Sequence, residues 1–244
     1  NTSGDFNVSV GYAALLANTT ANNNVAVGNV ALTTNTTGTS NVSVGSNSLQ
    51  FSTTASNNTA VGMCSLNANT TGTENVAVGL NALADNTTGA NNTAVGRCAL
   101  TNNTDSRQNT GIGNIALFDN TEGEFNTAVG SQSLADNTTA DCNVAVGYTA
   151  LRKNTTGTNN TSVGTFSLAC NTTAANNTAI GFESLCANTT GASQAAVGYG
   201  VLKANTTGGG NTAIGGNATL DNNTTGSNNV AVGNNALDFN TTAS

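Results

Sequence analysis

The side chains of this sequence that could do chemistry are its five cysteines, its twelve carboxylates and its many Asn-x-Ser/Thr sequons. There is no histidine, so imidazole ligation and imidazole acid–base catalysis are excluded. Asp85, Asp119 and Asp136 occupy one place in a sequence repeat, but Asn102 interrupts them, which leaves only Asp119 and Asp136 as neighbours. They read as solvated turn acids that keep the chain soluble, with a weak cation site as the alternative, and Asp105, Glu122 and Glu124 read the same way. No catalytic constellation, metal site or cofactor is expected. The glycines are periodic along the whole chain, unlike a phosphate-cradling loop confined to one strand-to-helix turn.

The sequons fall at Asn1, Asn18, Asn35, Asn69, Asn86, Asn137, Asn154, Asn171, Asn188, Asn205, Asn223 and Asn240, and others occur at Asn7, Asn57, Asn91, Asn159 and Asn217. They are candidate N-glycosylation sites, yet Asp105 and Glu122 break the required Ser/Thr while the preceding Thr never varies. A hydrogen-bonded ladder explains that recurrence better than glycosylation does, and both hold if sugars project outside the rungs. Of the cysteines, Cys64 and Cys98 lie two repeats apart, ~9.6 Å, beyond the ~7 Å limit for a disulfide. Cys170 and Cys186 lie on adjacent repeats in neighbouring columns, within reach of each other, and form the candidate disulfide; the alternative is that both fill space as small hydrophobes.

The elements that must position these groups follow from the repeat. A Gly after Val or Ile recurs at Gly11, Gly28, Gly45 and onward to Gly215, always 17 residues apart (28 − 11 = 17), and Gly233 follows after one extra residue between Gly216 and Thr219. Counting from the Asn of each NTT phrase gives fourteen rungs, from Asn1 to the one opening at Asn223, and the start of a fifteenth at Asn240. Position 2 is always Thr, position 9 always small, position 10 always Val or Ile, and position 15 always Leu. Positions 12 and 16 vary freely and face solvent or a partner. Tyr12, Met63, Tyr148, Phe166, Phe182 and Tyr199, in columns 12 and 13, form the candidate contact face.

Positions 7 to 11 alternate with period two, the signature of a strand with one packed face, and a second short strand is expected around positions 13 to 15. Val or Thr at 8, Val or Ile at 10 and Leu at 15 are the expected buried side chains. Three per rung cannot offset the ordering entropy of 17 residues, so the rungs must stack. The expected fold is all-β, a parallel β-solenoid in which identical residues form vertical ladders ~4.8 Å apart and an Asn ladder satisfies its own amides. Residues 1–244 read as a single repeat array with no capping segment at either end, which points to part of a longer chain or a filament.

Composition narrows the partners. Five basic residues against twelve acidic ones give a net charge of -7 and no positive stripe for phosphates, so no nucleic-acid partner is expected. No apolar run approaches the ~18 residues of a membrane span. The phrases NNTAVGRCAL, NVAVGNNAL and NTAIGGNATL resemble the head repeats of trimeric autotransporter adhesins and, more closely, the NTAVG-x-x-AL-x-x-NTTG arrays of phage tail fibres. That resemblance covers all fourteen rungs and implies a left-handed parallel β-roll, commonly trimeric, serving as a shaft or adhesive head. The expectation is a non-enzymatic structural protein forming the rod of an extracellular, cell-surface or virion-borne fibre, self-associating as a homotrimer or end-to-end filament. The alternative is an adhesin head or tail-fibre segment that binds a surface glycan or receptor through its variable columns.

Overall fold

The computed structural model describes residues 2–216 and 218–244. The chain is an all-β parallel β-solenoid, and its Cα positions divide it into two compact units, Asn1–Glu124 and Phe125–Ser244. Unit 1 carries β1 (Val8–Val10), β2 (Val25–Val27), β3 (Val42–Val44), β4 (Thr59–Val61), β5 (Val76–Val78), β6 (Thr93–Val95) and β7 (Thr110–Ile112). Unit 2 carries β8 (Thr127–Val129), β9 (Val144–Val146), β10 (Thr161–Val163), β11 (Thr178–Ile180), β12 (Ala195–Val197), β13 (Thr212–Ile214) and β14 (Val230–Val232).

Within each unit consecutive strands pair in parallel, equal position to equal position: Val25 with Val42 and Val27 with Val44 in unit 1, Thr161 with Thr178 and Val163 with Ile180 in unit 2. The extra residue after Gly215 does not disturb this register, because Thr212 pairs with Val230, 18 residues on (230 − 212 = 18). The insertion is absorbed outside the strand. No helix among the described residues is long and apolar enough to cross a membrane.

Two expectations about the rung need correction. The packed face of strands β2 to β14 is position 9, not positions 8 and 10: Ala26, Ser43, Ala60, Ala94, Ala145, Ser162 and Ala179 are buried, whereas Val61, Ile112, Val144, Ile180 and Ile214 are exposed, and in the end strand β1 all three residues are exposed. The interior is too narrow for a branched side chain there. Even at Gly111 an added methyl would meet the Leu100 side chain and the Ala116 carbonyl oxygen at 3.2 Å. Only Ala, Ser or Gly fits between the strand and the Leu that faces it, and the branched residues turn outward.

The second strand is also absent, replaced by a turn with left-handed backbone at positions 13 and 15, as at Val30 (φ 50), Leu32 (φ 49), Cys98 (φ 55) and Leu100 (φ 53). Left-handed backbone costs a non-glycine residue roughly 1–2 kcal/mol, so neighbouring rungs must hold it. They do so in both directions. Leu32 N–H donates to Ser48 O at 3.0 Å on the following rung, and Cys64 N–H donates to Ser46 O at 3.0 Å on the preceding one. The reversal delivers the Leu side chain inward: Leu32, Leu49, Leu66, Leu83, Leu100 and Leu117 in unit 1, and Leu134, Leu151, Leu168, Leu185, Leu202 and Leu220 in unit 2, are fully buried.

Candidate functional site

The asparagines of the NTT phrases lie inside the rungs. Asn18, Asn35, Asn69, Asn86, Asn137, Asn154, Asn171, Asn188, Asn205 and Asn223 are buried, Asn240 is half-buried, and Asn1 lies outside the described residues. Each Nδ2 donates to the position-4 carbonyl of its own rung, as Asn86 to Gly89 O at 3.0 Å and Asn154 to Gly157 O at 2.9 Å. Where an asparagine precedes it in the ladder, it donates again to that residue's Oδ1, Asn86 to Asn69 at 2.8 Å and Asn171 to Asn154 at 2.8 Å, while Asn69 follows Ser52. A sugar on any of these ten nitrogens would disrupt the hydrogen bonding of a buried amide and force carbohydrate into a closed interior, so the folded rungs leave no room for one there. The surface sequons Asn57, Asn91 and Asn159 are exposed, and Asn217 lies outside the described residues.

A second ladder runs through position 7, where Asn24 Oδ1 accepts from Asn41 N–H at 3.0 Å and Asn143 Oδ1 from Asn160 N–H at 2.9 Å. Most Nδ2 groups there reach across to the position-4 carbonyl of the next rung, as Asn41 to Ala55 O at 2.8 Å, whereas Asn177 Nδ2, whose following rung carries Gln194 at this place, is buried without a partner. The unvarying Thr of position 2 bonds the next rung through its hydroxyl, Thr36 Oγ1 donating to Thr53 O at 3.1 Å and Thr155 Oγ1 to Thr172 O at 3.1 Å. Position 3 points to solvent, which is why Asp105 and Glu122 are accepted there.

Of the candidate contact residues, the structure brings four together. Tyr148 and Phe166 meet edge to face at 5.5 Å, Phe166 and Phe182 edge to face at 6.2 Å, and Phe182 stacks on Tyr199 at 5.4 Å with 10° between planes. Their exposure runs from 37% at Phe166 to 56% at Tyr199, so four consecutive rungs of unit 2 carry one continuous aromatic strip open to solvent. Phe166 belongs to column 13, and the turn folds it into the line of column 12. Tyr12 and Met63 are exposed on unit 1, three rungs apart.

Beside the strip, Lys203 Nζ pairs with Glu183 Oε2 at 2.5 Å. The hydrogen bond and charge of Glu183 raise the Lys203 amine above its ordinary value. Column 16 continues from Lys203 to Asp221 and Asp238; burial raises the Asp221 carboxyl, Lys203 opposes the shift and Asp238 adds to it. All five cysteines are free thiols. Cys142 is exposed, Cys64 and Cys98 sit in turns of unit 1, and Cys170 and Cys186 are half-buried on adjacent rungs.

On unit 1, Arg107 Nε bonds Glu124 Oε1 at 3.0 Å, and Asn102 Nδ2 donates to Asp119 Oδ1 at 2.8 Å. A shallow hollow of about 350 Å³ is lined by Thr88, Ala90, Asn91, Asp105 and Arg107. Its lining holds one acid, Asp105, and one guanidinium, Arg107, beside the Thr88 hydroxyl. Among the described residues no group of three or more Cys, Asp or Glu side chains is placed to hold a metal ion.

Sequence reasoning missed the outward face of the strands. Columns 8 and 10 form two files of Val, Ile and Thr, half-exposed and free of charge through β2 to β7 and again through β8 to β13, with Ala195 the one small residue among them. The signal that would have found it was the invariant small residue at position 9. No protein-family model, no curated protein and no solved structure matches the chain, so the resemblance to fibre repeats rests on the quoted phrases and their 17-residue spacing alone.

Proposed function

We propose that this chain is a non-enzymatic structural protein, the rod or shaft segment of an extracellular, cell-surface or virion-borne fibre, in which copies associate as a homotrimer or end to end. The observation that carries this reading is the use of the invariant columns. Leu, Asn, Thr and the small residue at 9 are all consumed in joining one rung to the next. A chain that commits its Leu, Thr and small-residue columns, and nearly all of its NTT asparagines, to rung-to-rung contact is built to stack. The uncharged files at columns 8 and 10 supply each unit with a surface suited to a second copy, since β-branched side chains half-open to water gain by being covered. Sedimentation velocity with small-angle scattering tests this: a concentration-independent oligomer with an elongated profile is expected. A compact monomer at every concentration would overturn it.

The aromatic strip of unit 2 favours a second reading, that the segment also binds a surface glycan or receptor. Four touching rings open to solvent offer apolar faces of the kind that sugar rings stack on, beside a charged pair that can take hydroxyl groups. Phe182→Ala with Tyr199→Ala, assayed on a glycan array against the parent, should abolish any binding while leaving the melting temperature nearly unchanged. Binding that survives the double substitution sinks this reading without touching the first.

A further inference from the structure

We propose that Cys170 and Cys186 form a modification site: a thiol pair on adjacent rungs of unit 2 that closes to an intramolecular disulfide on meeting a small disulfide oxidant of the glutathione class. The backbone already joins the two residues, Cys170 N–H donating to Cys186 O at 3.1 Å, and the thiols lie near enough for Cys170 to raise the Cys186 thiol. With rungs ~4.8 Å apart, two residues so bonded fall inside the ~4.4–6.8 Å Cα window of a disulfide. Both thiols are half-buried, so a reagent reaches them without unfolding.

Packing does not require cysteine at either place. Column 16 elsewhere holds Arg152, Lys203 and Asp221, and column 17 holds Asp85, Lys153 and Ala187, so these positions accept charge and carry no core demand. The other three cysteines lack this arrangement: Cys64 and Cys98 stand two rungs apart in unit 1, and Cys142 is exposed in another column of unit 2.

The chemistry balances within the pair and the oxidant. One cysteine thiolate attacks a sulfur of the oxidant, forming a mixed disulfide and expelling one small thiolate. The second cysteine thiolate then attacks the protein sulfur of that mixed disulfide, expelling the other small thiolate. The two protons lost from Cys170 and Cys186 end on the two small thiols, the protein sulfurs are oxidised by two electrons, and the oxidant is reduced by two. The groups facing Cys186 are Cys170, Glu183 and Lys203. Burial, Cys170 and Glu183 push its thiol up, and Lys203, one rung on in the same column, opposes them. Closure therefore accelerates as the solution becomes alkaline.

The reduced full chain is incubated with oxidised glutathione in mildly alkaline buffer, quenched in acid, capped with N-ethylmaleimide and cut with trypsin. Cleavage after Lys153 and Lys203 places both cysteines in the single peptide 154–203. The expected product is that peptide lighter by two hydrogens, uncapped and free of glutathione, while the peptides holding Cys64, Cys98 and Cys142 carry cap or glutathione. Capping of both thiols, or a lasting glutathione adduct on the parent's 154–203 peptide, overturns the proposal. Cys170→Ser supplies a second readout, since it should convert Cys186 from a closed pair into a stable glutathione adduct. Should that variant fail to fold, the mass of the parent peptide still decides.

Discussion

Ser52 is the one place among the described NTT positions where the asparagine ladder is broken, and the break leaves a mark. Asn35 Oδ1 and Ser52 Oγ are both buried without a hydrogen-bond partner, because the amide that would reach from residue 52 to Asn35 is missing. Ser52→Asn should restore a donor to Asn35 Oδ1, a donor to Ala55 O and an acceptor for Asn69 Nδ2. The column already houses asparagine with Ala at position 4, at Asn137 and Asn171. Two repaired buried groups are worth about 1–2 kcal/mol, and urea unfolding should show the midpoint rising with an unchanged slope. The reverse change, Asn86→Ser, should lower it by a similar amount. Intact-mass and peptide analysis of protein made in a glycosylating host should find the ten buried NTT asparagines bare, with occupancy confined to exposed sequons such as Asn57, Asn91 and Asn159.

The charged column of unit 2 makes the pH dependence specific. Asp221 has its folded carboxyl raised above the ordinary 3.8, so in the window between the two values the folded state binds its proton more tightly than the unfolded state does. This contribution to stability therefore grows as pH falls through the raised value, and is absent at neutral pH. Lys203 is raised above 10.5 by Glu183, so its contribution is complete below 10.5 and is lost as pH rises through the folded value. Asp221→Asn should stabilise the chain at neutral pH, and the advantage should vanish on acidification. A variant gap that does not close at low pH would refute the assignment.

At the scale of the element, the strand is closed by glycine for a reason that a single substitution can expose. Gly62 lies at φ 133, and a methyl added there would meet the carbonyl oxygen of Gly79 on the next rung at 2.5 Å. Neither backbone can retreat without breaking the ladder on both sides, so Gly62→Ala should cost about 2–4 kcal/mol, read from the shift in the urea midpoint. Gly111→Ala, inside β7, should change stability by less than about 1 kcal/mol, because the tighter contact with Leu100 is offset by the lost freedom of an unfolded glycine.

The same element shows what the sequence makes legible. Period, register, the Leu column and the need for stacking are written in the repeat, because each depends only on which positions refuse to vary. The inward face of the strand is not so written. Alternation separates two faces without ranking them, and β-branched residues at 8 and 10 suggest burial when taken alone. The width of the interior decides, and only the constant small residue at 9 reports it. The turn at 13 to 15 is less legible still, since nothing in Leu32 or Leu100 announces left-handed backbone that neighbouring rungs alone maintain. For the same reason the aromatic strip was legible as residues but not as a contact: Phe166 joins column 12 only through that turn.

For the molecule as a whole, a stack in which each rung touches only its neighbours should tolerate the loss of a complete rung and reject the loss of a fraction. Removing residues 69–85 deletes one period of 17 (85 − 69 + 1 = 17) and brings Asn86 into the place of Asn69, with every column still in phase. Thr59 of β4 then pairs with Thr93 of β6 as it formerly paired with Val76. The variant loses one rung's intrinsic term and one interface, both of which recur along the chain, so it should keep a cooperative melt and an unchanged circular-dichroism signal per residue. Removing residues 69–77 takes away nine residues, just over half a period. The Leu of the spliced rung then falls at position 6 (15 − 9 = 6), where an exposed bend residue belongs, Asn86 falls at position 9 (18 − 9 = 9), the buried small-residue place in the strand, and the columns are out of register from that point on. That variant should lose cooperativity or aggregate. If both deletions melt alike, stacking register does not govern this fold; if only the out-of-phase one fails, the period of 17 is itself the unit on which stability is built.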